Sequence, residues 1–140
     1  MTDAERDAIE RACEKICIAY ARHIDFAEYD AFVDLFVEDG VLEVFGQKLV
    51  GPAGLRKFTD ARPANRKALH VLSNVWVNVI DANRAEGKSY VTVFRADPTG
   101  DGPVPDTTPF MAGYMDDVYV RTPKGWKFSF RKANALFMKS

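Results

Sequence analysis

An α+β fold, with helices laid against one concave face of an antiparallel sheet, is what the sequence predicts. Three observations carry that prediction. Near the start, Ile9, Ala12, Cys13, Ile16, Cys17 and Tyr20 follow the i, i+3, i+4, i+7, i+8, i+11 series of one helical stripe. From His70 onward the pattern changes to four long strand-like runs, joined in pairs by short turns. Helices therefore come first and strands afterwards, which separates this arrangement from an alternating α/β sheet. At 140 residues the chain reads as one domain, residues 1–140, able to bury well over half of its unfolded surface without disulfides.

Taken in order, Thr2 and Glu5 have the spacing of a capping box, and the helix they start carries the stripe as far as Tyr20. A shorter helix is marked by Tyr29, Phe32, Val33 and Phe36, ending at Asp39-Gly40 before the strand Val41–Phe45. Gly46-Gln47 turns the chain into Lys48-Leu-Val50. Gly51-Pro52 then opens a third helix through Leu55 and Phe58, which must stop before Pro63. The long runs are His70–Asp81, Ala85–Ala96, Phe110–Thr122 and Trp126–Ala133. Asp81-Ala-Asn-Arg84 and Thr122-Pro-Lys-Gly125 are hairpin turns between neighbours. Asp97–Pro109, rich in proline and glycine, is expected to be a flexible loop or lid.

The period of two predicts which side chains face inward. Trp126, Phe128 and Phe130 share one face of the last strand, and Lys127, Ser129 and Arg131 the other. In the run from His70, Leu72, Trp76 and Ile80 fall with the histidine, while Val71, Val75, Val77 and Val79 fall opposite. Neither side reads as water-facing. A homo-oligomer, dimer or trimer, is the expected cover for the second apolar face.

Composition excludes several classes of function. A formal charge of -1 leaves no electrostatic footprint for nucleic acid or acidic membranes, and no apolar run approaches membrane length. The charged, helix-forming start has no signal-peptide pattern, so a cytoplasmic protein is expected. Cys13 and Cys17 lie one helical turn apart, but with two histidines in the chain they cannot complete a usual structural metal site. They read as core residues. The Asp97–Asp106 carboxylates lack the spacing of a calcium loop.

The chemistry centres on Tyr20, Asp25 and His70. The first helix brings Tyr20 to the end of its buried face and hangs Asp25 just beyond it, while His70 opens the most apolar strand. If the three meet, a buried carboxylate holds the imidazole in one tautomer and stabilises its imidazolium, which makes a general base. His70 would move the proton, Asp25 orient it, and Tyr20 donate to a developing oxyanion. That chemistry demands no metal or cofactor. Phe32, Phe36, Trp76, Phe94 and Phe110 are the expected apolar lining, with Asp97 a polar group nearby. Each catalytic candidate also has a structural reading: Asp25 as cap of a helix starting near Phe26, Tyr20 and His70 as core residues. His23, in the last turn of the first helix, reads as a surface cation facing the helix dipole.

Several segments in order carry a resemblance over essentially the whole chain. These are Tyr20-x-x-x-x-Asp25, Glu28-Tyr-Asp-Ala-Phe-Val-Asp-Leu-Phe-Val-Glu-Asp-Gly-Val-Leu42, Gly51-Pro-Ala-Gly-Leu55, Leu69-His-Val-Leu-Ser-Asn74, and Tyr114-Met-Asp-Asp-Val-Tyr-Val-Arg-Thr-Pro-Lys-Gly-Trp-Lys-Phe128. Together they resemble the SnoaL-like family of the nuclear transport factor 2-like superfamily, nearest to scytalone dehydratase, bile-acid dehydratase and hexachlorocyclohexane dehydrochlorinase. The resemblance implies a cone-shaped, strongly curved sheet wrapped by three helices around an apolar pocket. It further implies a cofactor-independent lyase in which Asp25 and His70 match the family's dyad and Tyr20 the tyrosine of the bile-acid enzyme. The second pocket histidine of scytalone dehydratase has no counterpart between Tyr90 and Asp97. An isomerase, cyclase or epoxide hydrolase, or a non-catalytic subunit such as a dioxygenase small subunit, is compatible with the same resemblance.

Overall fold

Helix α1 (Asp3–Asp25) starts at a closed capping box: the Glu5 N–H donates to Thr2 Oγ1 at 3.1 Å and the Thr2 N–H to Glu5 Oε2 at 2.9 Å. The computed structural model describes residues 1–140. After α1 come α2 (Tyr29–Asp34), β1 (Phe36–Val44), β2 (Gln47–Val50), α3 (Gly51–Asp60), β3 (Lys67–Asp81), β4 (Arg84–Ala96), β5 (Met111–Thr122) and β6 (Gly125–Met138). The α1 stripe, extended by Ile24, is buried against β3 and β6. The helix runs the length of β3, since Arg6 Nη1 donates to the Val79 carbonyl at 3.3 Å at one end and Asp25 meets His70 at the other. No helix is long and apolar enough to cross a membrane.

Six strands form one sheet in the order β2-β1-β6-β5-β4-β3. The fold is α+β, as the sequence predicts, but the sheet is mixed: β1 runs parallel to β6 and every other neighbour is antiparallel. The β1–β6 pairing spans most of the chain, so no hairpin turn dictates its direction. The second helix is also shorter than its apolar spacing suggests. It ends at Asp34, and Phe36 already pairs with Phe128. Val37–Gly40 then bulge before Val41 rejoins β6. Gly40 lies so close to that strand that an added Cβ would come within 3.3 Å of the Phe128 carbonyl oxygen.

Two further bulges reverse the expected faces. In β3, Ser73 pairs with Tyr90 and Trp76 with Lys88, so Asn74 and Val75 together oppose Ser89. Asn74 takes φ 50°, a left-handed conformation that asparagine tolerates well. His70 and Leu72 face inward before the bulge, and Val75, Val77 and Val79 face inward after it. Trp76 is turned out, 60% exposed. In β6 the shift between the Val118–Phe130 and Tyr119–Phe128 pairs leaves Ser129 unpaired, which carries Arg131 into the core beside Phe128. Its expected outward position is therefore wrong.

On the far side of the sheet, Leu69, Val71, Trp76 and Ile80 of β3, Tyr90 of β4, and Leu136 and Phe137 of β6 are exposed. The 97–109 segment lies at this outer end rather than over the cone. Asp97 pairs with Arg66, Lys67 Nζ donates to the Asp101 and Gly102 carbonyls at 3.0 and 2.6 Å, and Lys139 Nζ lies 2.7 Å from Asp106. Val104 and Thr108 share a groove there with Leu69 and Phe94.

Candidate active site

Because α1 ends where β3 begins, the last helical residue and an inward strand residue meet. Asp25 Oδ1 lies 2.5 Å from His70 Nδ1, and Asp25 Oδ2 accepts the His70 backbone N–H at 2.8 Å. A carboxylate only accepts, so Nδ1 carries a proton, and in the neutral ring that leaves the lone pair on Nε2. Both oxygens grip the same residue. That fixes the ring about its own backbone and leaves no role for Asp25 as a helix cap; α2 is preceded by Glu28 instead. The Asp25 side chain is 6% exposed and that of His70 17%, so the imidazole is reachable and its partner is not.

Tyr20 and His70 line one cavity at the concave face, together with Ile24, Val44, Val91 and Val93. Its centre is narrow, about 40 Å³, and Met111 and Met115 form part of the wall. The Tyr20 ring rests on an aromatic floor: Phe32, Phe36 and Phe128 have centroids 5.0, 6.5 and 6.2 Å away. Burial pushes the Tyr20 hydroxyl up to about 12, so it stays a neutral donor at any ordinary pH.

The expected lining changes accordingly. Phe32 and Phe36 lie beneath the cavity as core. Phe110 stands at its rim, edge-on to Phe45 at 6.0 Å, and Phe45 is a wall residue. Trp76 and Phe94 are on the outer surface, because Trp76 follows the β3 bulge and Phe94 is out of phase with the inward Val91 and Val93. Asp97 is held outside by Arg66, at 2.8 and 3.1 Å. His23 bonds Glu28 at 3.0 Å, and this contact is the first cause that holds the Glu28 carboxyl below its ordinary value.

Three arginines near the site were not expected from the sequence. Arg62 and Arg95 line the cavity. Arg131 lies below it, its guanidinium carbon 4.2 Å from the Tyr20 ring centroid and 4.7 Å from that of Phe128. Arg131 Nε is 3.0 Å from Asp117 Oδ1, with both side chains almost wholly buried, though the pair is poorly aligned as a hydrogen bond. Tyr119 donates to Asp117 Oδ2 at 3.0 Å. Burial opposes the Arg131 charge, but Asp117 outweighs it and the guanidinium stays protonated. Burial also pushes Cys13 to about 12 and Cys17 to about 11, as befits inert core thiols. The signal for Arg95 was present in the sequence: it is in phase with Val91 and Val93. No group of three His, Cys, Asp or Glu side chains is gathered as a metal site.

The SnoaL-like domain family matches residues 5–132. The chain belongs to that family. Among solved structures, a candidate scytalone dehydratase from Novosphingobium aromaticivorans superposes on this SnoaL-like protein with TM-score 0.83 at 20% identity, over 97% of this chain and 89% of that one. A hexachlorocyclohexane dehydrochlorinase from Novosphingobium barchaimii gives 0.80 at 18%, over 99% and 93%. A candidate aromatic ring hydroxylase from Novosphingobium aromaticivorans gives 0.79 at 28%, over 95% and 92%. These likenesses establish a shared fold, and the names span different reactions. No match was found among curated protein sequences.

Proposed function

We propose that this SnoaL-like protein is a cofactor-independent lyase of the dehydratase type, acting on a small apolar cyclic or aromatic substrate. The observation that carries the reading is the His70–Asp25 pair: both carboxylate oxygens hold one histidine, whose Nε2 is left without a protein partner at an apolar cavity. His70 Nε2 takes the proton from a carbon next to a carbonyl. The electron pair left behind forms an enolate, whose oxygen accepts from the Tyr20 hydroxyl. As the enolate collapses, the carbon–carbon double bond forms and the neighbouring hydroxyl leaves with the imidazolium proton, as water. Asp25 stabilises the imidazolium between the two transfers. Met111 and Met115 are unbranched and repack readily, which gives the narrow cavity room for a ring. The dehydrochlorinase and the candidate dehydratase described above are both named for eliminations, which agrees with the reading.

The test is a product analysis across cyclic β-hydroxy ketones. An unsaturated product formed by loss of water is expected, and Tyr20→Phe should retain the reaction at about a hundredth of the rate, the cost of one oxyanion donor. A product of unchanged mass would make the protein an isomerase. The outer apolar face belongs to the same reading: a homo-oligomer, dimer or trimer, covers Trp76, Leu136 and Phe137. Light scattering at micromolar concentration should report a multimer that Trp76→Glu dissociates. A monomeric wild-type protein would contradict it.

A further inference from the structure

The mouth of the cavity carries more positive charge than its one nearby carboxylate, Asp97, balances. Arg66, Arg62 and Arg95 gather there, and of the three only Arg66 has an acidic partner, Asp97. Arg62 makes one side-chain contact, Nε to the Tyr29 hydroxyl at 3.3 Å. Arg95 makes no ion pair and no hydrogen bond. Its guanidinium carbon instead lies 3.7 Å from the Phe110 ring centroid and 5.8 Å from that of Phe45. Stacking uses the flat face of the guanidinium and leaves the N–H donors at its edge free. The remaining carboxylate of the site, Asp25, has both oxygens committed to His70.

This placement is costly for the free protein. Burial first, and then the charges of Arg66 and Arg62, pull Arg95 below the ordinary guanidinium value, and Asp97, already paired with Arg66, opposes them only in part. An arginine on the solvent side of β4 would avoid both. Arg95 is inward because it continues the phase of Val91 and Val93, and Val93 is the Cα partner of His70. Two residues along a strand is about 7 Å. Arg95 and His70 therefore line one cavity from neighbouring strands, about two residues apart along the sheet, close enough for one small molecule to meet both.

We propose that the substrate carries a carboxylate, which Arg95, together with Arg62, holds at the mouth while the ring extends inward to His70. The inference rests on the lyase reading and narrows its substrate class to a cyclic hydroxy-keto acid. Arginine suits the role because its planar fork meets both oxygens of a carboxylate. The partly desolvated mouth makes that contact stronger than at an open surface.

The experiment compares two unreactive probes of one shape, cyclohexanecarboxylate and the neutral cyclohexanecarboxamide, on the full chain by calorimetry at neutral pH and low salt. The carboxylate should bind at least tenfold more tightly, and added salt should narrow the difference. Arg95→Gln should erase the preference and Arg95→Lys keep part of it, with circular dichroism checking that each variant is folded. The wild-type comparison needs no variant at all. Equal affinity for the two probes, no binding of either, or a preference that survives Arg95→Gln would overturn the proposal. Because binding does not need the base, His70→Ala should keep the carboxylate preference. A preference without any elimination reaction would support the anion site and sink the lyase reading. Elimination by a His70-dependent route on neutral substrates, with no preference, would do the reverse.

Discussion

His70→Ala is expected to lower turnover by on the order of 10,000-fold, the upper end of what a positioned acid–base group contributes, because one nitrogen both removes the proton and returns it. The fold should survive. The His70 side chain borders a cavity rather than filling the core, and its backbone pairing with Val93 does not depend on the ring. Asp25→Asn is the finer probe. An amide has one accepting oxygen and an NH2 that only donates, so His70 either loses one of its two contacts or is held with its proton on Nε2, where it is no base, and the charge that supports the imidazolium is gone in both cases. Substrate contacts are untouched, so the loss should fall on kcat rather than KM in steady-state measurements. A His70→Ala protein of undiminished activity would place the base elsewhere.

Why Tyr20, Asp25 and His70 were legible from the sequence, while Trp76 and Arg131 were misplaced, has a single physical reason. The α1 stripe keeps an unbroken 3.6-residue period for its whole length, so the position of Tyr20 and Asp25 at its end follows from counting. A strand keeps its period of two only until a bulge adds a residue, and a bulge leaves little trace in composition. Asn74 in β3 and Ser129 in β6 are unremarkable residues, yet each reverses every side chain beyond it. Phe36 was ambiguous for another reason, since its spacing from Tyr29, Phe32 and Val33 fits a helix and only the distant pairing with Phe128 decides for a strand. The parallel β1–β6 contact is likewise a decision of the whole chain. Phe94 was expected in the apolar lining, but β4 turns Ala85, Gly87, Ser89, Val91 and Val93 to that face and leaves Phe94 out of phase with them. An added Cβ on Gly87 would come within 2.9 Å of the Tyr119 ring, so the small residues there make space for that side chain.

Asp117→Asn should be the most destabilising conservative change in the protein, about 3–5 kcal/mol, because it strands the Arg131 charge in the core and a guanidinium cannot shed its proton. For a chain of this size that is a fall in Tm of roughly 10 °C or more. Arg131→Met should cost less, for a reason already visible in the wild type: burial pushes the Asp117 carboxyl up, with Arg131 the main opposing influence. Once Arg131 is gone, Asp117 can take up a proton and remain buried as a neutral acid bonded to Tyr119 and Cys17. The sign of the pH dependence follows. A carboxyl whose folded value is raised above its unfolded one favours folding fully below the unfolded value, and that contribution is lost as pH rises toward the folded value. The Arg131→Met protein should therefore lose stability relative to wild type as pH rises from acid toward neutral, whereas the Asp117→Asn deficit, tied to a guanidinium that does not titrate, should stay nearly constant. Denaturant unfolding of both variants across that range decides the matter. An Asp117→Asn protein within about 1 kcal/mol of wild type would mean that the pair is not a buried charge pair, and the floor beneath Tyr20 would need another explanation.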